Sequence, residues 1–307
     1  MCIRDSDEIV VTLDVDSSGQ WLATGAKDNT ARLWRIDQRT GSYTCEAIFK
    51  GHAETVGAVA LPKNNDAAGS LENVFKAPSF LMTGSQDRTI KCWEIPSSRE
   101  KAPKARYTKR AHEKDINALD VDHQSSLFAS ASQDRTVKIW SVEHGEVQGV
   151  LRGHKRGVWS VKFAPHDIPN ITNENGRAER RLILTGSGDK SVKVWSLDDY
   201  SCLRTLEGHT NSVLKVVWLN PRATSSRDRF IPEVASSGGD GLVKVWDVTS
   251  GEELSTLDNH EDRVWALTMR KDTNSIVSGA GDGTITFWTD STAETAAATA
   301  AATRAGC

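Results

Sequence analysis

Serine or threonine, histidine and aspartate recur together along this chain of 307 residues. They are the residue types of a nucleophile, a general base and the carboxylate that orients the base. The first chemistry to weigh is therefore hydrolysis by acyl transfer. Six aspartates, Asp28, Asp87, Asp134, Asp189, Asp240 and Asp282, each follow a hydroxyl residue by four positions: Thr24, Thr83, Ser130, Thr185, Ser236 and Ser278. Six residues after each aspartate stands a tryptophan: Trp34, Trp93, Trp140, Trp195, Trp246 and Trp288. Five units carry a histidine upstream, at His52, His112, His154, His209 and His260, three of them as Gly-His pairs.

Six copies at constant spacing argue against catalysis, because an active site needs one. The tryptophan supplies the alternative. A buried indole N–H is a donor only and must find an acceptor. The hydroxyl, expected two strand-widths inward, accepts from it and donates to the histidine, whose other nitrogen donates to the aspartate. Each member then satisfies the next, and the aspartate also suits a tight turn. The first unit departs from the pattern, with Ser6 where the histidine belongs.

The elements that hold such a relay follow from its period. The tryptophans lie 59, 47, 55, 51 and 42 residues apart, and periods near 40–50 mark stacked or radial repeats. Alternating apolar and polar residues, β-branched content and Gly-Asp turns predict four short strands per unit, for example about 158–163, 182–185, 191–195 and 202–206 in the fourth. Four-stranded units repeating radially make a β-propeller, one blade per unit. The expected organisation is a poorly fitting stub at 1–7 and a propeller over 8–290, followed by a low-complexity Ala/Thr-rich tail at 291–307. The blades fall at about 8–50, 51–110, 111–152, 153–207, 208–258 and 259–290. No fourth strand is evident after Trp288, so the expectation is six blades of a seven-blade ring belonging to a longer protein.

These residues resemble the WD-repeat family over about 8–290, although the dipeptide itself survives only as Trp246-Asp247. In that family the relay is structural, so the resemblance implies a non-catalytic interaction scaffold. Further runs narrow it: Ala111 to Asn117, Gly153 to Phe163, Ser201 to His209, Gly239 to Trp246 and His260 to Leu267. They are similar to the second propeller of the transducin-beta-like small-subunit processome subunits, the U3 small nucleolar RNA-associated protein 13 family. The resemblance implies a place in the UtpB subcomplex of the nucleolus, action in pre-rRNA processing and 18S rRNA maturation, and contact with U3 small nucleolar RNA or pre-rRNA backbone. That family also has a first propeller and a helical domain, which these residues do not include. The rival readings are a ubiquitin-ligase substrate receptor and a transducin-like signalling subunit. The first wants a basic residue four positions after the repeat tryptophan, where Gln38, Ser97, His144, Asp199, Ser250 and Thr292 stand. The second wants an N-terminal coiled-coil helix.

Composition bounds the rest. The formal net charge of −3 excludes coating of nucleic acid by bulk charge. No apolar run is long enough for a membrane-spanning helix, and residues 1–7 lack the apolar segment of a secretory signal. Cys2, Cys45, Cys92, Cys202 and Cys307 are odd in number with no CxxC pair. Neither a metal site nor a disulfide framework is expected, a reducing intracellular compartment fits, and no cofactor or small-molecule substrate is implied.

Insertions at about 62–78, 165–181 and 220–231 fall between first and second strands, and one at about 96–109 between third and fourth. Both connections emerge on one face of a blade, and long loops on a rigid scaffold carry function. Cations gather there: Lys101, Lys104, Arg106, Lys109 and Arg110 in one cluster, Arg180 and Arg181 in another. They are the candidate contacts to RNA phosphates. On the opposite rim Trp159 and Trp265 hold equivalent positions inside the first strand, with Asn117 and Leu214 as counterparts. They are the candidate partner-binding residues, since a half-exposed tryptophan is a common interface anchor.

Overall fold

The computed structural model describes residues 8–63, 77–96, 102–172, 176, 178–179, 181–220, 222–223, 230–270, 273 and 275–289. Every regular element among them is a strand. Blade 1 comprises β1 (Val10–Val15), β2 (Trp21–Ala26), β3 (Thr30–Ile36) and β4 (Tyr43–Lys50). Blade 2 has β5 (Val56–Ala60), β6 (Phe80–Ser85), β7 (Thr89–Glu94) and β8 (Lys104–Arg110). Blade 3 has β9 (Ile116–Val121), β10 (Leu127–Ser132), β11 (Thr136–Ser141) and β12 (Val147–Arg152). In blade 4, β13 (Val158–Phe163) is followed by a short pair, β14 (Ile171–Thr172) and β15 (Ala178–Glu179), and then by β16 (Leu182–Ser187), β17 (Ser191–Ser196) and β18 (Cys202–Glu207). Blade 5 likewise runs β19 (Val213–Trp218), the pair β20 (Arg222–Ala223) and β21 (Phe230–Ile231), then β22 (Glu233–Gly238), β23 (Leu242–Asp247) and β24 (Glu253–Asp258). Blade 6 shows β25 (Val264–Arg270), β26 (Ser275–Ala280) and β27 (Ile285–Trp288). Among the described residues five blades are four-stranded sheets and the sixth is three-stranded, all antiparallel, beside the two short pairs. The fold is a six-blade β-propeller.

A bulge in each first strand explains how the blades pack. In β13, Val158 pairs with Ser187 and Ser160 with Gly186, which leaves Trp159 as the extra residue. Equivalent shifts occur at Val11, Gly57, Asn117, Leu214 and Trp265. One extra residue puts the first and fourth positions on the same side of the strand. Those positions are Val56 and Val59, Ile116 and Leu119, Val158 and Val161, Val213 and Val216, Val264 and Leu267, and all are buried. Each pair packs on the preceding blade: Ile116 and Leu119 join Met82 and Ile90, and Val213 and Val216 join Leu184 and Val192. Full burial of such a side chain is worth about 1.5–3 kcal/mol. The approach is close enough to dictate sequence. A Cβ added at Gly84 would lie 2.7 Å from an Ile116 methyl, so only glycine leaves room there.

The first strands are neighbours in series, β1 beside β5 and so on to β25, and β25 does not pack on β1 in the way the other pairs do. At this seam Val11, Leu13 and Val15 of blade 1 and Ile285 and Phe287 of blade 6 are exposed. One expectation is corrected. Lys104, Arg106, Lys109 and Arg110 are not in a loop, because Lys104–Arg110 forms β8, the outer strand of blade 2. Alternation of Lys, Arg, Thr and Tyr satisfies an exposed edge, which the run of cations concealed.

Candidate functional site

Every blade places its tryptophan on the third strand and its hydroxyl on the adjacent second strand, one strand-width away rather than two. The indole N–H groups of Trp34, Trp93, Trp140, Trp195, Trp246 and Trp288 donate to Thr24, Thr83, Ser130, Thr185, Ser236 and Ser278 over 2.8–3.0 Å. The histidine Nε2 atoms of His52, His112, His154, His209 and His260 meet the same hydroxyls at 2.7–2.8 Å. On the other side Nδ1 meets Asp87, Asp134, Asp189 and Asp240 at 2.8–2.9 Å. A carboxylate only accepts, so Nδ1 carries the proton and Nε2 accepts from the hydroxyl.

The aspartate does more than face the histidine. Its second oxygen closes the following turn, accepting the backbone N–H and hydroxyl of Thr30, Thr89, Thr136, Ser191 and Thr284, with hydroxyl contacts of 2.6 Å. Sequence reasoning missed this hydroxyl two residues after the aspartate, although five of six repeats print it. The residue in between adopts a left-handed conformation in every blade: Asn29, Arg88, Arg135, Lys190, Gly241 and Gly283, with φ of 64–82°.

Burial alone would raise the carboxyls of Asp87, Asp134, Asp189 and Asp240, but their hydrogen bonds outweigh it. His154, Ser191 and the Lys155 N–H hold Asp189 well below the ordinary carboxylate range, and Asp87 and Asp134 behave alike. Asp240, whose turn offers Leu242 in place of a hydroxyl, is lowered to about 2. In blade 6, His260 Nδ1 turns to Thr284 at 2.9 Å and leaves Asp282 at 3.4 Å. Asp282 is also held at about 2, first by the Thr284 hydroxyl. In blade 1, Ser6 lies outside the described residues, and Arg32 approaches Asp28 at 3.3 Å instead.

This geometry has no room for hydrolysis. Thr83, Ser130, Thr185 and Ser236 are fully buried, and each oxygen is already occupied by an indole and an imidazole. A nucleophile must reach a substrate carbonyl. Among the described residues, no cluster of three or more His, Cys, Asp or Glu could hold a metal ion. No helix among them is long and apolar enough to cross a membrane.

The candidate rim residues prove to be the bulge residues, which explains their shared position. Trp265 is about half exposed at 48% and Trp159 partly so. Asn117 spends its amide on the Val158 carbonyl at 2.8 Å, and Leu214 is buried, so neither offers a free contact. Of the candidate phosphate contacts, Lys101 and Arg180 lie outside the described residues. Lys104, Arg106, Lys109 and Arg110 run along the outer edge of blade 2. Arg106 faces Glu94 at 3.7 Å and Arg110 faces Glu113 at 3.3 Å, both exposed pairs that hold weakly. Arg181 is separate, lining a shallow cleft between blades 3 and 4 with His123 and His166, whose rings lie 5.0 Å apart.

Comparison with known proteins accounts for this layout. A family model described as WD domain, G-beta repeat matches residues 3–35, 43–94, 103–141, 145–196, 200–247 and 251–289. The chain is 41% identical over 160 residues to U3 small nucleolar RNA-associated protein 13 of Saccharomyces cerevisiae, covering 50% of this chain and 19% of that protein. It is 37% identical over 165 residues to Transducin beta-like protein 3 of Homo sapiens, again 50% and 19%. The matched stretch thus spans about a fifth of these relatives. The WD40 β-propeller domain of Doa1 superposes with a TM-score of 0.67 at 22% identity, covering 94% of this chain and 81% of that one, which bears on fold alone.

Proposed function

The chain belongs to the WD domain, G-beta repeat family, and on that premise we propose that it is a non-catalytic scaffold of the nucleolar small-subunit processome, acting in pre-rRNA processing and 18S rRNA maturation. The observation that carries this reading is the 41% identity over half the chain to a protein named for U3 small nucleolar RNA. The geometry is compatible with it. The polar constellations that resemble active sites are spent inside the blades, while Trp265 on one rim and the outer strand β8 are exposed. Its partners are other processome proteins of the UtpB type, with Lys104, Arg106, Lys109, Arg110 and Arg181 as contacts to U3 or pre-rRNA backbone. The competing reading is a WD-repeat adaptor elsewhere, in a ubiquitin ligase or a signalling complex.

Affinity purification of the tagged chain from cells, followed by mass spectrometry, separates the two. Recovery of processome proteins supports the proposal, and recovery of ligase or signalling subunits in their place overturns it. Charge reversal at Lys104, Arg106, Lys109 and Arg110 should then lower the RNA recovered while leaving the protein partners bound. The edge has no part if the recovered RNA is unchanged.

A further inference from the structure

The six first strands line the central channel, and their third and fifth positions turn toward the lumen and the next blade. Ser160 accepts the Val216 N–H at 3.2 Å, Asp14 the Leu61 N–H at 2.8 Å and Asp120 the Phe163 N–H at 2.8 Å. The third positions read Thr12, Ala58, Ala118, Ser160, Lys215 and Ala266. One long cation therefore stands at a level otherwise lined by small side chains.

The other charges of this lining are paired. Asp14 holds Lys63 at 3.2 Å, and Asp120 holds Lys162 at 3.0 Å. Lys215 is half-buried, and no hydrogen bond or ion pair reaches its ammonium from any described residue. Burial, and then the neighbouring charge of Lys162, hold its ammonium below the ordinary lysine range. Three cations, Lys63, Lys162 and Lys215, face two carboxylates, Asp14 and Asp120, which leaves one positive charge without a counterion.

We propose that Lys215 receives, inside the channel, the carboxylate of an aspartate or glutamate carried on an extended segment of a protein partner. One monoanion balances the surplus. A phosphate would want several convergent donors, whereas Lys215 is the single free cation among the described lining residues. Ala58, Ala118 and Ala266 present only a methyl group at the same level, and Trp159 and Trp265 stand on the bulges of the two neighbouring blades. This inference is independent of the pre-rRNA reading.

The test is fluorescence anisotropy of a short fluorescein-labelled oligoglutamate peptide with the purified chain. Lys215→Met keeps length and removes charge. Lys193→Met serves as control, because Lys193 sits on a third strand bonded to Thr205. Lys215→Met should weaken binding at least about tenfold, the scale expected when one partner of a desolvated charge pair is lost, and Lys193→Met less than about twofold. Inorganic phosphate should compete poorly. Thermal melting verifies folding, with Lys215→Met expected to melt no lower than the parent because it removes an unpaired, partly desolvated charge. The proposal is overturned by an absence of peptide binding, by equal affinity for the two variants, or by phosphate displacing the peptide as well as free glutamate peptide does.

Discussion

Truncating Asp189 to alanine isolates what one relay contributes. The change removes one acceptor group from four donors: His154 Nδ1 at 2.9 Å, the Lys155 N–H at 2.8 Å, the Ser191 N–H at 3.1 Å and the Ser191 hydroxyl at 2.6 Å. They do not lose equally. The Ser191 hydroxyl can rotate, and the Lys155 N–H is near solvent. The His154 ring cannot escape, because its side chain is only 2% exposed and its other nitrogen is held by Thr185 at 2.7 Å. An orphaned buried donor costs about 1–3 kcal/mol, and loss of the turn contacts adds about 1 kcal/mol, for a total of roughly 2–4 kcal/mol. At about 2 °C per kcal/mol for a domain of this size, Tm should fall by roughly 4–8 °C. Asp189→Asn should lie between parent and alanine. Its oxygen can still serve the Ser191 turn, but its amide forces His154 to the other tautomer, with Thr185 then accepting from both ring and indole. The assay is thermal unfolding followed by tryptophan fluorescence, with Asp199→Ala as control. Asp199 is exposed and accepts chiefly from Ser201, so its loss should cost under about 1 kcal/mol. A Tm loss for Asp189→Ala no greater than for Asp199→Ala would refute the relay as a stabilising element.

Gly241→Ala should destabilise by about 2–4 kcal/mol in urea melts, because φ is +79° and the new Cβ would stand 2.9 Å from the His260 carbonyl. Lys190→Gly relieves the same left-handed strain at φ 74° and should be neutral or up to about 1 kcal/mol stabilising. Ile116→Ala should cost about 2–5 kcal/mol and show as a lowered denaturation midpoint, since the side chain is 1% exposed and fills the gap left by Gly84. The carboxyls of Asp87, Asp134, Asp189, Asp240 and Asp282 lie below their unfolded values in the folded chain, with Asp240 and Asp282 at about 2. Their stabilisation is therefore complete above about pH 4 and is lost as pH falls toward the folded values, so Tm should drop most steeply below about pH 4. Asp134→Asn should flatten that acid slope, and an unchanged slope would exclude the carboxyl as its source.

Much of this was legible in the sequence because the repeat writes itself six times. Hydroxyl, aspartate and tryptophan sit within ten residues of one another, and local spacing is what sequence shows best. The strands of the fourth blade were placed within two residues for the same reason. What failed was either non-local or edge-dependent. Asp120 and Lys162 are 42 positions apart, and nothing in their own segments announces that adjacent blades bring them to 3.0 Å. The strand β8 was hidden because an exposed edge tolerates any charged run with alternating Thr and Tyr. Leu214 shares the bulge position with Trp265 yet is buried, and sequence position alone does not tell an inward-packed apolar side chain from an exposed one. Arg32 at Asp28 lay beyond reach too, since its role depends on the missing histidine in blade 1.

The blades look catalytic, but burial closes the relay hydroxyls of Thr83, Ser130, Thr185 and Ser236 to a substrate. A four-stranded meander has few apolar positions near its outer turns, so blades 2 to 6 use a polar chain of indole, hydroxyl and imidazole to lock them. The chain then presents a rigid ring whose differences lie in bulges, channel lining and edges.

The central claim is tested most directly by sequencing the RNA that co-purifies with the tagged chain under gentle conditions. The account predicts strong enrichment of U3 small nucleolar RNA and the 5′ portion of pre-rRNA over an untagged control. RNA indistinguishable from that control would contradict it, leaving the six-blade scaffold without its place in ribosome assembly.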